Sequence, residues 1–160
     1  MEHPDGKARV LIVGVGSPIR TDDGVGWQIA RELSRELPAN DSRDIQVIAT
    51  HQLTPEISDT ASHAERVLFV DASHSGKPGW VRCERVVPAA LAHRHSHHLS
   101  PANILKLVEE LYGRRPSAFL LTVTGASFAI GETLSPAIAA VVPAVKAQIM
   151  RFIESGLCLD

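Results

Sequence analysis

Residues 10–26 read Val-Leu-Ile-Val-Gly-Val-Gly-Ser-Pro-Ile-Arg-Thr-Asp-Asp-Gly-Val-Gly, and this stretch constrains the fold more than any other. Val10, Leu11, Ile12 and Val13 form a short apolar run that stops at a glycine. Such a run fits a strand covered on both faces, as in a parallel sheet. Gly14 and Gly16 permit a tight turn or a close backbone approach. Asp22 and Asp23 then stand at a loop-to-helix junction, ahead of an amphipathic run. Ligands in open α/β sheets bind beyond the carboxyl ends of the strands, so this acidic pair is well placed for chemistry.

The same alternation continues along the chain. A first strand over 9–13 precedes a helix over 24–36 that carries Val25, Ile29, Ala30 and Leu33 on one face. Pro38 and Asn40 end that helix. A second strand over 45–50 leads to His51-Gln-Leu-Thr-Pro-Glu56, where Thr54 is a candidate N-cap and Pro55 fits the first helical position. That helix is expected to reach about His63. Val67-Leu-Phe-Val70 is a third buried strand, ending in Asp71. Residues 80–86 alternate in polarity and read as an exposed or edge strand that could run antiparallel. A helix from Ser100-Pro-Ala-Asn103 to about Tyr112, a buried strand over 118–123 and a last helix from Ser135-Pro136 complete the pattern. Strands alternating with helices imply an α/β fold with a mainly parallel sheet covered on both faces. The pattern leaves the strand order open.

Composition narrows the function classes. The 160 residues suffice for a single domain with a real core, expected over about 9–155. A net charge of -2 gives no general pull toward nucleic acid. No apolar run reads as a bilayer span, so no membrane partner is expected. Cys83 and Cys158 match no metal or redox spacing, and Cys83 reads as a small core residue. With no signal peptide visible either, the cytoplasm is the expected compartment. The residues before Lys7 read as a disordered leader, and those after Gly156 as a frayed tail. A nucleotide is not expected as cofactor: Gly14-Val-Gly16 lacks the third glycine of the dinucleotide fingerprint, and Pro18 removes a backbone donor.

Asp23, Asp71 and His97 stand out because each follows a buried strand or precedes a helix. The carboxyl ends of parallel strands share one edge of the sheet, so the three are expected to converge there. Two carboxylates and an imidazole suit a borderline divalent ion with positions left for water or substrate. Plainer readings stand beside this one. Asp23 is equally readable as a helix cap. Asp71 is readable as an acceptor for backbone groups in its own turn. The run His93-Arg-His-Ser-His-His98 is readable as a solvated loop, and Glu56 as a macrodipole partner in the first turn of its helix.

Five segments, in order, resemble the nickel–iron hydrogenase maturation endopeptidases. They are Gly14-Val-Gly-Ser-Pro-Ile-Arg-Thr-Asp-Asp-Gly-Val-Gly26, His51-Gln-Leu-Thr-Pro-Glu56, Val67-Leu-Phe-Val-Asp-Ala72, His97-His-Leu-Ser-Pro101 and Gly131-Glu-Thr-Leu-Ser-Pro136. Together they span nearly the whole chain. The resemblance implies a three-layer α/β/α sandwich around a twisted, mostly parallel sheet. It implies removal of a C-terminal extension from the hydrogenase large-subunit precursor once nickel is inserted, the nickel being supplied by that substrate. The family's nickel-recognising acid maps to Asp23, its second acid to Asp71 and its histidine to His97, with His98 an adjacent competitor. Catalysis would then fall to Asp23 and Asp71, by an aspartyl-type or metal-assisted route. Ser17 stands where the family usually has Asn; it keeps hydrogen-bonding capacity but loses an amide. The alternative function is a non-catalytic nickel-binding or carrier protein in hydrogenase assembly.

Overall fold

The computed structural model describes residues 9–38, 44–91 and 98–159. Among these residues, five strands form one sheet: β1 (Val10–Val15), β2 (Ile45–Thr50), β3 (Arg66–Ser73), β4 (Val81–Arg85) and β5 (Ser117–Thr124), in the order β2-β1-β3-β5-β4. All neighbours are parallel except β4, which runs antiparallel to β5 at the edge. Among the described residues, four α-helices cover the faces: α1 (Val25–Glu36), α2 (Ile57–Ser62), α3 (Pro101–Tyr112) and α4 (Pro136–Ser155). Helix α1 packs beside α4, and α2 beside α3.

The three layers follow from strand periodicity. Val10 and Ile12 point into a core with Ile29 and Leu33 of α1 and with Val145, Ile149 and Phe152 of α4. Leu11, Val13 and Val15 point the other way, into a core with Ile57 and Ala61 of α2 and Ile104, Leu105 and Val108 of α3. Every residue of β1 is buried, as the apolar run Val10–Val13 within it requires. Close approach of α1 to the sheet depends on glycine. A β-carbon at Gly26 would overlap the carbonyl oxygens of Val15 and Val70.

Several boundaries differ from the sequence expectation. Strand β1 continues to Val15, because Gly14 and Val15 pair with Ala49 and Thr50 of β2. Strand β3 continues to Ser73, because pairing with β5 persists to Ser73 opposite Thr124. Asp71 therefore lies inside the last turns of the strand rather than beyond it. Helix α2 begins at Ile57, not Pro55. The amides of Ile57, Ser58 and Asp59 bond three residues back, to Thr54, Pro55 and Glu56, so the stretch before the helix is a tight turn. Glu56 is exposed at that turn, and hydrogen bonds from its own backbone and from Thr54 hold its carboxyl below the usual range. Helix α3 starts as expected, with a reciprocal capping box between Ser100 and Asn103.

Helix α4 corrects the expectation that no segment is long and apolar enough for a bilayer. It has 20 residues and a mean hydropathy of 1.4, sufficient by length and composition alone. One face, carrying Ile138, Val145, Ile149 and Phe152, is fully buried against the sheet.

The tail after α4 is not frayed. Cys158 forms a disulfide with Cys83 of the edge strand β4, with Cα atoms 6.0 Å apart. Gln148 also donates its side-chain amide to the Leu159 carbonyl. Cys83 packs at the margin of the core, as a small core residue would, but its pairing removes cysteine usage as an argument for a reducing compartment. The bridge closes a separation of 75 residues. Cys83→Ser is expected to lower unfolding stability under oxidising conditions by about 2–4 kcal/mol. Urea unfolding with and without reductant checks this; reductant should bring the wild type down to the variant.

Candidate active site

The carboxyl ends of β1 and β3 lie side by side at the centre of the sheet. From β1 the chain crosses through α1 to β2 on one side, whereas β3 and β5 extend the sheet on the other. This is the switch point where open α/β sheets leave a crevice. A cleft of about 630 Å³ opens there, lined by Gly16, Asp23, His51, Gln52, Asp71, His74, His98 and Ser100 among others.

Asp23 comes from the loop after β1. Gly16 turns the chain with φ +149°, and a β-carbon there would overlap the Asp23 carbonyl oxygen. A short 3-10 turn, Thr21–Gly24, then leads into α1. The acidic pair divides its labour across this turn. Asp22 points inward and is fully buried. Its carboxylate accepts from the backbone amides of Ala126, Ser127 and Ser135 at 2.8, 2.9 and 2.8 Å, and from the Ser135 hydroxyl at 2.7 Å. Burial alone would raise its pKa, but the hydrogen bonds, led by Ser135, outweigh that and lower it. Asp23 points into the cleft. Its Oδ2 accepts from the Ser17 amide at 2.9 Å. Neither acid caps α1: the N-cap is Gly24, without a side-chain bond.

Asp71 comes from β3. Its Oδ1 accepts from the Ala72 amide at 2.8 Å, as the plainer reading required, yet the side chain also lines the cleft. Burial pushes its pKa up to about 6, against the Ala72 hydrogen bond, and the nearby negative charge of Asp23 adds to the rise. His74 partly offsets it.

The structure thus brings Asp23 and Asp71 together, as expected. His97 lies outside the described residues, which resume at His98. His98 lines the cleft immediately ahead of α3. Among the described residues, no three His, Cys, Asp or Glu side chains are gathered closely enough to hold an ion by themselves.

Three lining residues had not been singled out as candidates. His51 and Gln52 follow β2, within a segment noted as a helix start and for its family likeness. His74 stands three residues past Asp71, beyond the end of β3. Its Nε2 lies 3.8 Å from Asp23 Oδ1, and its ring stacks on Phe128 at 3.8 Å with 19° between planes. An imidazole just past an acid at a strand end was the available signal.

No protein-family profile matches the sequence. No curated protein matches it either. Solved structures do. The nickel–iron hydrogenase maturation protease HycI of Thermococcus kodakarensis superimposes with a TM-score of 0.74 at 20% identity, over 94% of this chain and 95% of that one. The hydrogenase maturating endopeptidase HybD of Escherichia coli gives 0.74 at 25% identity, over 92% and 94%. HybD of T. kodakarensis, also a nickel–iron hydrogenase maturation protease, gives 0.64 at 23%, over 91% and 99%.

Proposed function

We propose that this chain, which has the fold of the nickel–iron hydrogenase maturation proteases, is itself an endopeptidase of that kind. Its substrate would be a hydrogenase large-subunit precursor already loaded with nickel, and its reaction the removal of the precursor's C-terminal extension. The observation that carries this reading is the meeting of Asp23 and Asp71 in one cleft at the switch point, with Asp71 held near pH 6.

An acid that titrates near neutrality suits proton transfer in both directions. Asp71 takes a proton from water as the oxygen attacks the scissile carbonyl, and returns it to the leaving amine. Asp23, Asp71 and His97, with His98 as the neighbouring alternative, would meet the ion carried by the substrate. Two carboxylates and an imidazole leave coordination positions open, which suits an ion still held by another protein's ligands. A precursor without nickel lacks the positive charge that these carboxylates attract. Recognition of the ion therefore doubles as a check on its insertion.

The test is incubation of metal-stripped enzyme with nickel-loaded and nickel-free precursor in the presence of a chelator, read by intact mass. Shortening of the loaded precursor alone is the expected result. Equal shortening of both forms would discard nickel recognition and retain the peptidase. Binding of the loaded precursor without shortening would instead identify a nickel carrier.

A further inference from the structure

We propose that His74 is a positioning residue for Asp23, and that Phe128 holds His74 in place for that role. The proposal rests on the peptidase reading above and extends it to two residues outside the Asp23, Asp71 and His97 set.

The two carboxylate oxygens of Asp23 have different surroundings. Ser17 donates to Oδ2 at 2.9 Å, while Oδ1 faces the Nε2 of His74 at 3.8 Å. That separation is longer than a hydrogen bond but short enough to close with a small ring movement. Contacts of this kind are often long without substrate and tighten when substrate fills the site. A neutral imidazole carrying its proton on Nε2 suffices as the donor.

The imidazole is 66% exposed, and an exposed side chain would ordinarily sample several rotamers. Here one face of the ring lies on Phe128, nearly parallel to it. Phe128 in turn belongs to a loop tied down by hydrogen bonds on both sides. The buried Asp22 carboxylate binds the amides of Ala126, Ser127 and Ser135, on both sides of Phe128. Thr21 adds a backbone bond to Gly131 and a hydroxyl bond to the Ala129 carbonyl. Thr21 itself takes φ +50°, a conformation that a β-branched residue adopts only when its surroundings impose it. The acidic pair is thereby linked through space: Asp22 fixes the loop, the loop carries Phe128, Phe128 carries His74, and His74 faces Asp23.

The test uses the full chain and nickel-loaded precursor, with His74→Ala, Phe128→Leu, Phe128→Tyr and the double variant His74→Ala/Phe128→Leu. Leucine keeps apolar volume over the loop, so folding is preserved while stacking is lost. His74→Ala and Phe128→Leu are each expected to lower kcat/KM about tenfold or more, mainly by raising KM because Asp23 meets the ion carried by the substrate, and Phe128→Tyr to retain the wild-type value. The double variant should be no slower than either single one, since both act through one contact. His63→Ala, an exposed imidazole outside the cleft, is the unchanged control. Multiplying effects in the double variant, or an undiminished kcat/KM for His74→Ala, would overturn the proposal. The Asp23 13Cγ resonance gives a readout that needs no cleavage. It should move alike in His74→Ala and Phe128→Leu, and an unmoved resonance in His74→Ala overturns the positioning role even if the wild type proves not to be a peptidase. A wild type that never shortens the precursor counts against the peptidase reading alone.

Discussion

Asp71→Asn is expected to abolish precursor shortening while making the protein harder to unfold at neutral pH. Both effects have one cause. Burial raises the Asp71 pKa to about 6, so ionisation costs the folded state more than the unfolded chain, where an aspartate titrates near 3.9. Below about pH 4 both states carry the proton and the cost is absent. As pH rises from about 4 through 6 the folded state gives up stability, and above that the full penalty of at most about 3 kcal/mol remains. Asparagine keeps an oxygen for the Ala72 amide and has no charge to desolvate. It cannot serve as a base, and loss of a general acid–base group typically costs about 10²–10⁴-fold in rate. Urea unfolding of both proteins at pH 4 and pH 7.5, beside cleavage assays, checks the pair of effects. The stability gap should open only at the higher pH. A variant that cleaves normally would return Asp71 to a backbone-bonding role.

Such a combination marks where sequence and structure part company. The sheet and its coverings were legible because burial writes itself into periodicity. The apolar run Val10–Val13 required cover on both faces, and the helical spacing of Val25, Ile29 and Leu33 required one apolar stripe. The order β2-β1-β3-β5-β4 was not legible, since each strand carries the same kind of apolar side chains and nothing local names its neighbour. Element ends shifted for the same reason. Strand β3 runs on to Ser73 because β5 supplies partners, a fact that residues 66–73 do not contain. The Cys83–Cys158 bridge depends on the path of the tail after α4, and a spacing of 75 residues carries no trace of it.

The site shows the same division. Asp71 was legible because it ends an apolar strand, and Asp23 because it precedes a helix after a glycine turn. Side-chain direction within the acidic pair was a tertiary matter. Asp22 turns inward because the amides of Ala126, Ser127 and Ser135, more than a hundred positions away, await an acceptor there. His74 escaped because an imidazole in a Ser-rich turn looks solvated until Phe128 is known to lie against it.

Asp22→Ala is accordingly expected to be the most damaging single change to the fold, and Asp23→Asn one of the most tolerated. Removing the Asp22 carboxylate strands three backbone amides and the Ser135 hydroxyl without an acceptor. Hydrogen bonds to a charged group are worth about 1.5–3 kcal/mol each and do not simply add, so a loss on the order of 5 kcal/mol follows. That rivals the whole stability of an ordinary domain, and much of the variant should be unfolded at 37 °C. Asp22→Asn keeps one acceptor oxygen and should fall between. The pH dependence runs opposite to that of Asp71. The Asp22 pKa is lowered on folding, so its stabilisation is present above the unfolded value near 3.9 and is lost as pH falls toward the lower folded value. Wild-type protein should therefore weaken in acid, whereas Asp22→Asn, weak from the start, should lack that part of the decline. Urea unfolding of the three Asp22 forms between pH 3 and 7 makes the measurement. An Asp22→Ala protein within about 1 kcal/mol of wild type would show that the 125–135 loop has another anchor.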